Sequence, residues 1–207
     1  RCHLGNLRQR LPSRRPYLLG LAAMETAVIR RLFTLLLLFS ALLPAKQYDT
    51  NVMAIQAKLF PKIALLEQHV KNRTEQTLKI AVIAVDTDYK AARQFKGIIE
   101  NTYPDGILGR KLHVFVTNFI PGFIADCPPD AVIVLSHRTE TLREIAAWAN
   151  ERQIVSFAYD PYHLREGFLV SIFFGKSAQP YLNRDAIKQY HFRFDHYLLK
   201  LSKFYTP

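Results

Sequence analysis

Leu78-Lys79-Ile80-Ala81-Val82-Ile83-Ala84-Val85 is apolar at every position but one. A strand with one wet face reads polar at every second residue. A near-continuous apolar run instead marks a strand covered on both faces, as in a parallel sheet between helical layers. Asp86-Thr87-Asp88 ends the run with residues suited to a loop and a helix cap, and a helix is expected from Tyr89 to about Asn101. Tyr103-Pro104-Asp105-Gly106 and Gly109 break the chain before a second strand, Leu112 to Thr117.

The same alternation continues toward the C-terminus. Phe119 to Asp126 reads as a short piece, at most one helical turn. Ala131 to Leu135 is a third strand, Thr139 to Asn150 a helix and Ile154 to Ala158 a fourth strand. Phe168 to Phe174 is a fifth, turned at Gly175-Lys176 into a short extended piece, Gln179 to Leu182. A final helical region is expected from Asn183 or Arg184 to Tyr205, interrupted near residues 191–195. On the N-terminal side, Val52, Ile55, Leu59, Ile63, Leu66 and Val70 recur at helical spacing, so a helix capped by Asn51 is expected through about Val70, kinked or broken at Pro61. The pattern predicts an α/β fold over residues 46–207: a single three-layer sandwich with a mostly parallel central sheet.

The rest of the chain reads differently. The 207 residues carry 28 Lys and Arg against 17 Asp and Glu, a formal charge of +11. Residues 1–45 hold seven of the arginines, no lysine and a single acid, Glu25, which leaves a net +5 on the remainder. The basicity belongs mostly to that leading stretch, so no nucleic-acid partner is expected. Residues 1–23 show no periodicity and precede Met24, and they read as upstream-translated or non-native sequence. From Met24 to Ala45, Arg30-Arg31 precede an apolar run, Leu32 to Leu43, too short to span a bilayer but of signal-peptide length. Residues 24–45 are therefore expected to be a signal peptide, with the remainder periplasmic after cleavage. A retained leader acting as an anchor is the lesser alternative. The exported part holds one cysteine, Cys127, and so no internal disulfide. Cys127 is either a half-buried small hydrophobe or a reactive thiol.

Motifs of common chemistry are absent from the sequence. The histidines at 69, 113, 137, 163, 191 and 196 include no His-Glu-x-x-His pair, and there is no Cys-x-x-Cys. Gly106-Ile-Leu-Gly109 follows a helix and precedes a strand, the reverse of a dinucleotide fingerprint, and no phosphate-binding glycine loop occurs. Ser136 lacks the glycines of a nucleophile elbow. Neither a catalytic set, a metal nor a cofactor is expected.

Ligands of doubly wound sheets sit beyond the carboxyl ends of the strands. Asp86, Asp88, Asn118, Ser136, His137 and Tyr159 fall there and form a candidate rim for a small polar ligand. The plainer reading is that such residues cap the helices that follow, above all Asp88. Asp86-x-Asp88 also resembles a cation-binding carboxylate pair, without the late lysine that would complete a phosphorelay site. The last 25 residues interleave aromatic and basic residues. Tyr190, Phe192, Tyr197, Phe204 and Tyr205 are candidates for a protein-binding surface, against the reading that they pack the terminal helix.

Two segments carry a family resemblance. Phe168-Leu-Val-Ser-Ile-Phe-Phe-Gly175-Lys176, Gln179-Pro-Tyr-Leu-Asn183, Ala186-Ile-Lys188, and Phe194 with Leu198-Leu-Lys-Leu201 resemble the closing segment of the YfiR/HmsC-like periplasmic family. Gln56-Ala-Lys-Leu-Phe-Pro-Lys-Ile63 resembles its opening helix. The resemblance spans about residues 52–203. It implies an exported, non-enzymatic α/β domain that modulates an inner-membrane signalling protein, such as a cyclic-di-GMP synthase. The disulfide cysteines of some members are missing, which removes a redox gate. Partner binding of this kind is the leading expectation. A periplasmic small-ligand-binding protein using the strand-end rim is the alternative.

Overall fold

The computed structural model describes residues 48–73, 75–84, 88–119, 128–135 and 139–206. The described strands form one sheet in the order β2-β1-β3-β4-β5-β6-β7. They are β1 (Thr77–Ile83), β2 (Lys111–Thr117), β3 (Ala131–Val134), β4 (Val155–Ala158), β5 (Val170–Phe174), β6 (Ala178–Asn183) and β7 (Lys203–Tyr205). Every neighbouring pair is parallel except β5 with β6. Helices lie on both faces, which gives the three layers that the apolar run at Leu78 predicts.

Alternation along β1 divides its side chains between two cores. Leu78, Ile80 and Val82 face one layer, with Ile133 and Phe157 from β3 and β4. That layer holds α1 (Thr50–Ala64), through Met53, Ala57, Phe60 and Ile63, and α3 (Tyr89–Thr102), through Ala92, Phe95 and Ile99. Phe60 stacks on Phe157 with ring centroids 4.5 Å apart. Ala81 and Ile83 face the other layer, where α4 (Thr139–Glu151) contributes Leu142, Ile145 and Ala149, and a 3-10 helix (Pro161–Glu166) contributes Leu164.

Local chemistry sets several boundaries and corrects some expectations. The cap of α1 is Asp49, whose carboxylate accepts from the backbone N–H groups of Asn51 and Val52; Asn51 lies inside the helix. The expected helix to Val70 divides. Pro61 offers no N–H to the turn before it, α1 ends at Ala64, and a separate α2 (Gln68–Asn72) begins after Glu67. Glu67 is fully buried; its carboxylate accepts from the N–H of Val70 at 3.1 Å and of Arg193 at 3.2 Å. Arg110 closes α2 by donating to the carbonyls of Val70, Lys71 and Arg73. Asp130 clamps the amino ends of β1 and β3, accepting from the Lys79 N–H at 2.8 Å and pairing with Arg73 at 2.6 Å.

The C-terminal stretch is not mainly helical. It makes two short helices, α5 (Arg184–Gln189) and α6 (His196–Leu201), and then β7. Ser202 is extended, and from it Phe204 and Tyr205 point to opposite faces of the sheet, a strand alternation that adds β7 beside β6. The fifth strand begins at Val170 instead of Phe168. The leader at 24–45, Cys127 and most of the expected turn at 119–126 lie outside the described residues. Among the described residues, no helix is long and apolar enough to cross a membrane.

Candidate functional site

In the order β2-β1-β3-β4, the chain passes from β1 outward to β2, then returns to the other side of β1 as β3. The connections that follow β1 and β3 go to opposite faces of the sheet, to α3 and α4. The carboxyl ends of β1 and β3 at that point are the usual ligand position in open α/β sheets.

Tyr48 reaches into this place. Its hydroxyl donates to the carbonyl of Leu135, just past β3, and also meets the carboxylate of Asp88, which follows the β1 loop. Its ring sets edge-on against Tyr159, just past β4, at 4.9 Å between centroids. The Tyr159 hydroxyl accepts from the Asp49 N–H at 3.0 Å. Gln56, a fully buried polar residue on α1, donates through Nε2 to the Tyr159 carbonyl at 2.7 Å, and its Oε1 has no hydrogen-bond partner among the described residues. The residues just before and on the first helix thus join the ends of β1, β3 and β4.

Electrostatics follow from that burial. Removal from water raises the Tyr48 phenol pKa far above its ordinary value, with the Asp88 carboxylate adding to the shift. The Tyr159 phenol is also raised, first by burial; the hydrogen bond from Asp49 opposes the shift. Both hydroxyls stay neutral and keep a proton to donate. Asp88 is only 8% exposed and stands at the N-cap of α3, but its side chain makes no capping hydrogen bond. The plain capping reading of Asp88 is corrected: the carboxylate is turned to Tyr48.

The candidate rim is therefore assembled in part. Asp88 and Tyr159 are brought together through Tyr48. Asn118 stands exposed at the end of β2, its carbonyl accepting from the Thr117 hydroxyl, and no described contact joins it to the tyrosines. Asp86, Ser136 and His137 lie outside the described residues, so the Asp86-x-Asp88 pair is not described either. Tyr48, Asp49 and Gln56 were missed as site residues. Gln56 left a signal: it occupies the apolar stripe of α1 with Met53, Ala57 and Phe60, where a polar side chain needs a buried partner. Among the described residues, no group of three or more His, Cys, Asp or Glu is placed to hold a metal.

The terminal aromatics are largely used by the fold. Phe192 is 5% exposed and stacks near Phe194, so it is corrected from candidate surface to core. Phe204 packs on the same core beneath the Arg184 guanidinium. Tyr205 meets Tyr181 edge-on, and Tyr190 is half-buried, its carbonyl accepting from Gln153. Tyr197 alone of the five is strongly exposed, at 75%.

No family model matches the chain. No curated protein matches it either. Two solved structures superpose on it in part. A conserved domain protein from Vibrio cholerae O1 biovar eltor superposes with a TM-score of 0.52 at 11% identity, covering 73% of this chain and 59% of the other. The ABC domain in complex with L-Trp from Streptococcus pneumonia gives a TM-score of 0.48 at 10% identity, covering 72% and 59%. The chain thus spans less than two thirds of either structure. The first likeness shows the fold, an open α/β sheet. With that fold and the burial of the aromatics, the expected modulator of an inner-membrane cyclase in cyclic-di-GMP signalling is corrected. Most of the docking face it would have used is spent on the chain's own core and sheet edge.

Proposed function

We propose that the chain is an exported small-ligand-binding domain whose site is the crevice beyond β1 and β3, lined by Tyr48, Asp88 and Tyr159. The observation that supports it most is Asp88. Its nearly buried carboxylate caps no helix and meets the Tyr48 hydroxyl, and a carboxylate's several lone pairs leave it capacity to accept from a ligand as well. Gln56 Oε1 is a second buried acceptor beside the same strand ends. Two acceptors there favour a ligand rich in donors, such as an ammonium group or a polyol. Tyr48 and Asp49 act as a strap across the crevice that the ligand displaces or joins. Export rests on the basic-apolar leader at 24–45.

A thermal-shift screen of the full chain against amino acids, polyamines and simple sugars tests this. The expected result is a rise in midpoint with a donor-rich compound, abolished by Asp88→Asn. A rise unaffected by Asp88→Asn, or none with any of them, argues against the crevice.

A further inference from the structure

On the α4 face, the sheet is covered unevenly. β1, β3 and β4 lie beneath α4, whereas toward β5, β6 and β7 the cover is the six-residue 3-10 helix. Two clefts flank that helix. One, of about 370 Å³, is lined in part by the charged residues Arg143, Arg165, Glu166 and Asp185. The other, of about 390 Å³, is aromatic and includes Tyr162, Phe173 and Tyr181. Arg165 and Tyr205 belong to both, so the clefts adjoin along these two side chains as a two-part groove.

The polar end is built. The Glu166 carboxylate is 2% exposed and accepts from Arg143 Nε at 2.7 Å and Arg165 Nε at 2.8 Å. Each guanidinium is thus held through Nε, and the terminal Nη groups have no partner among the described residues. Arg165 is fixed a second time, its Cζ lying 3.6 Å from the Tyr162 ring centroid. Held guanidinium forks match a carboxylate without the entropy cost of ordering free side chains. At the other end, Phe173, Tyr181 and Tyr205 form an edge-to-face ladder across three strands, with centroids 5.7 and 6.1 Å apart. Lys203 Nζ lies 3.7 Å from the Phe173 ring centroid and adds positive charge there. Tyr162 is 61% exposed beside this ladder. Asp185 disfavours a second negative charge on the occupant.

We infer that this groove is a second binding site, separate from the strand-end crevice, for a small monoanion with a carboxylate head held by Arg143 and Arg165 and a flat apolar body lying on Tyr162 and the aromatic ladder.

Isothermal titration of the full chain with naphthylacetate and its neutral amide, naphthylacetamide, tests the inference. The acid should bind about tenfold tighter than the amide, the gain expected of a charge-assisted pair. Arg143→Gln, a change at a largely exposed side chain, should remove that preference and leave amide binding unchanged. Tyr162→Ala should weaken both, and Asp88→Asn neither. Equal affinities for acid and amide, a preference that survives Arg143→Gln, acid binding lost in Asp88→Asn, or no binding of either compound would overturn it. Circular dichroism of each variant separates lost binding from lost fold.

Discussion

Removing one hydroxyl tests whether Tyr48 and Asp88 work as a unit. Tyr48→Phe keeps the ring that meets Tyr159 edge-on and deletes the hydroxyl that donates to the Leu135 carbonyl and meets the Asp88 carboxylate. Leaving buried acceptors without a donor costs about 1–3 kcal/mol. In a folded unit of this size, each kcal/mol moves the melting midpoint by about 2–4 °C. The variant should therefore melt roughly 2–12 °C lower. Asp88→Asn removes the charge and retains one acceptor. If the two groups interact, the double variant loses less than the sum of the singles, with a coupling of about 0.5–3 kcal/mol. Urea denaturation of all four proteins, monitored by circular dichroism, measures it. Additivity to within about 0.3 kcal/mol would refute the reasoning, because groups in contact do not add so closely.

Three further outcomes follow from single positions. Gly106 sits at φ +87°, and a Cβ there would stand 2.2 Å from the Arg110 carbonyl oxygen, so Gly106→Ala should cost about 2 kcal/mol or more in urea denaturation, and a neutral result would contradict the turn. Glu67→Gln leaves one oxygen for the N–H groups of Val70 and Arg193 and turns an NH₂ toward a donor; a loss of about 2–4 kcal/mol is expected, measured by the urea midpoint. The raised phenols of Tyr48 and Tyr159 link stability to alkaline pH. A group whose folded pKa exceeds its unfolded value stabilises fully below the latter, so this contribution holds up to about pH 10 and is lost as pH rises beyond it toward the folded values. Tyrosinate absorbance should show these two phenols ionising only as the fold is lost, and their titration near pH 10 in intact protein would contradict the burial.

The layers were legible because burial on both faces leaves a local mark. Leu78 to Val85 and Ala131 to Leu135 read as central strands from composition alone. The C-terminus misled because Tyr190 to Tyr205 offers both helical spacing and strand alternation over short runs. The choice of a strand for Lys203 to Tyr205 is made by the open edge of β6, a tertiary partner far from any local pattern. What the sequence offered for the rim was its end of the sheet, since in a mostly parallel sheet the residues that follow each strand, Asp88 and Tyr159 among them, fall at the carboxyl end. Its organiser was not legible. Tyr48 joins Leu135 across 87 residues and Asp49 joins Tyr159 across 110, and contacts of that separation leave no periodicity to read. Gln56 was the exception, a polar residue on an apolar stripe. The Glu166 pair on the opposite flank was equally hidden, because Arg143 and Glu166 stand 23 residues apart.

The most direct test of the strand-end crevice is a native mass spectrum of the chain expressed in full and purified under mild conditions, compared with that of Asp88→Asn. A bound small molecule, present on the wild-type protein and absent from the variant while both remain folded, is the result the account predicts. A wild-type protein free of any adduct, or an adduct retained equally by Asp88→Asn, would contradict it.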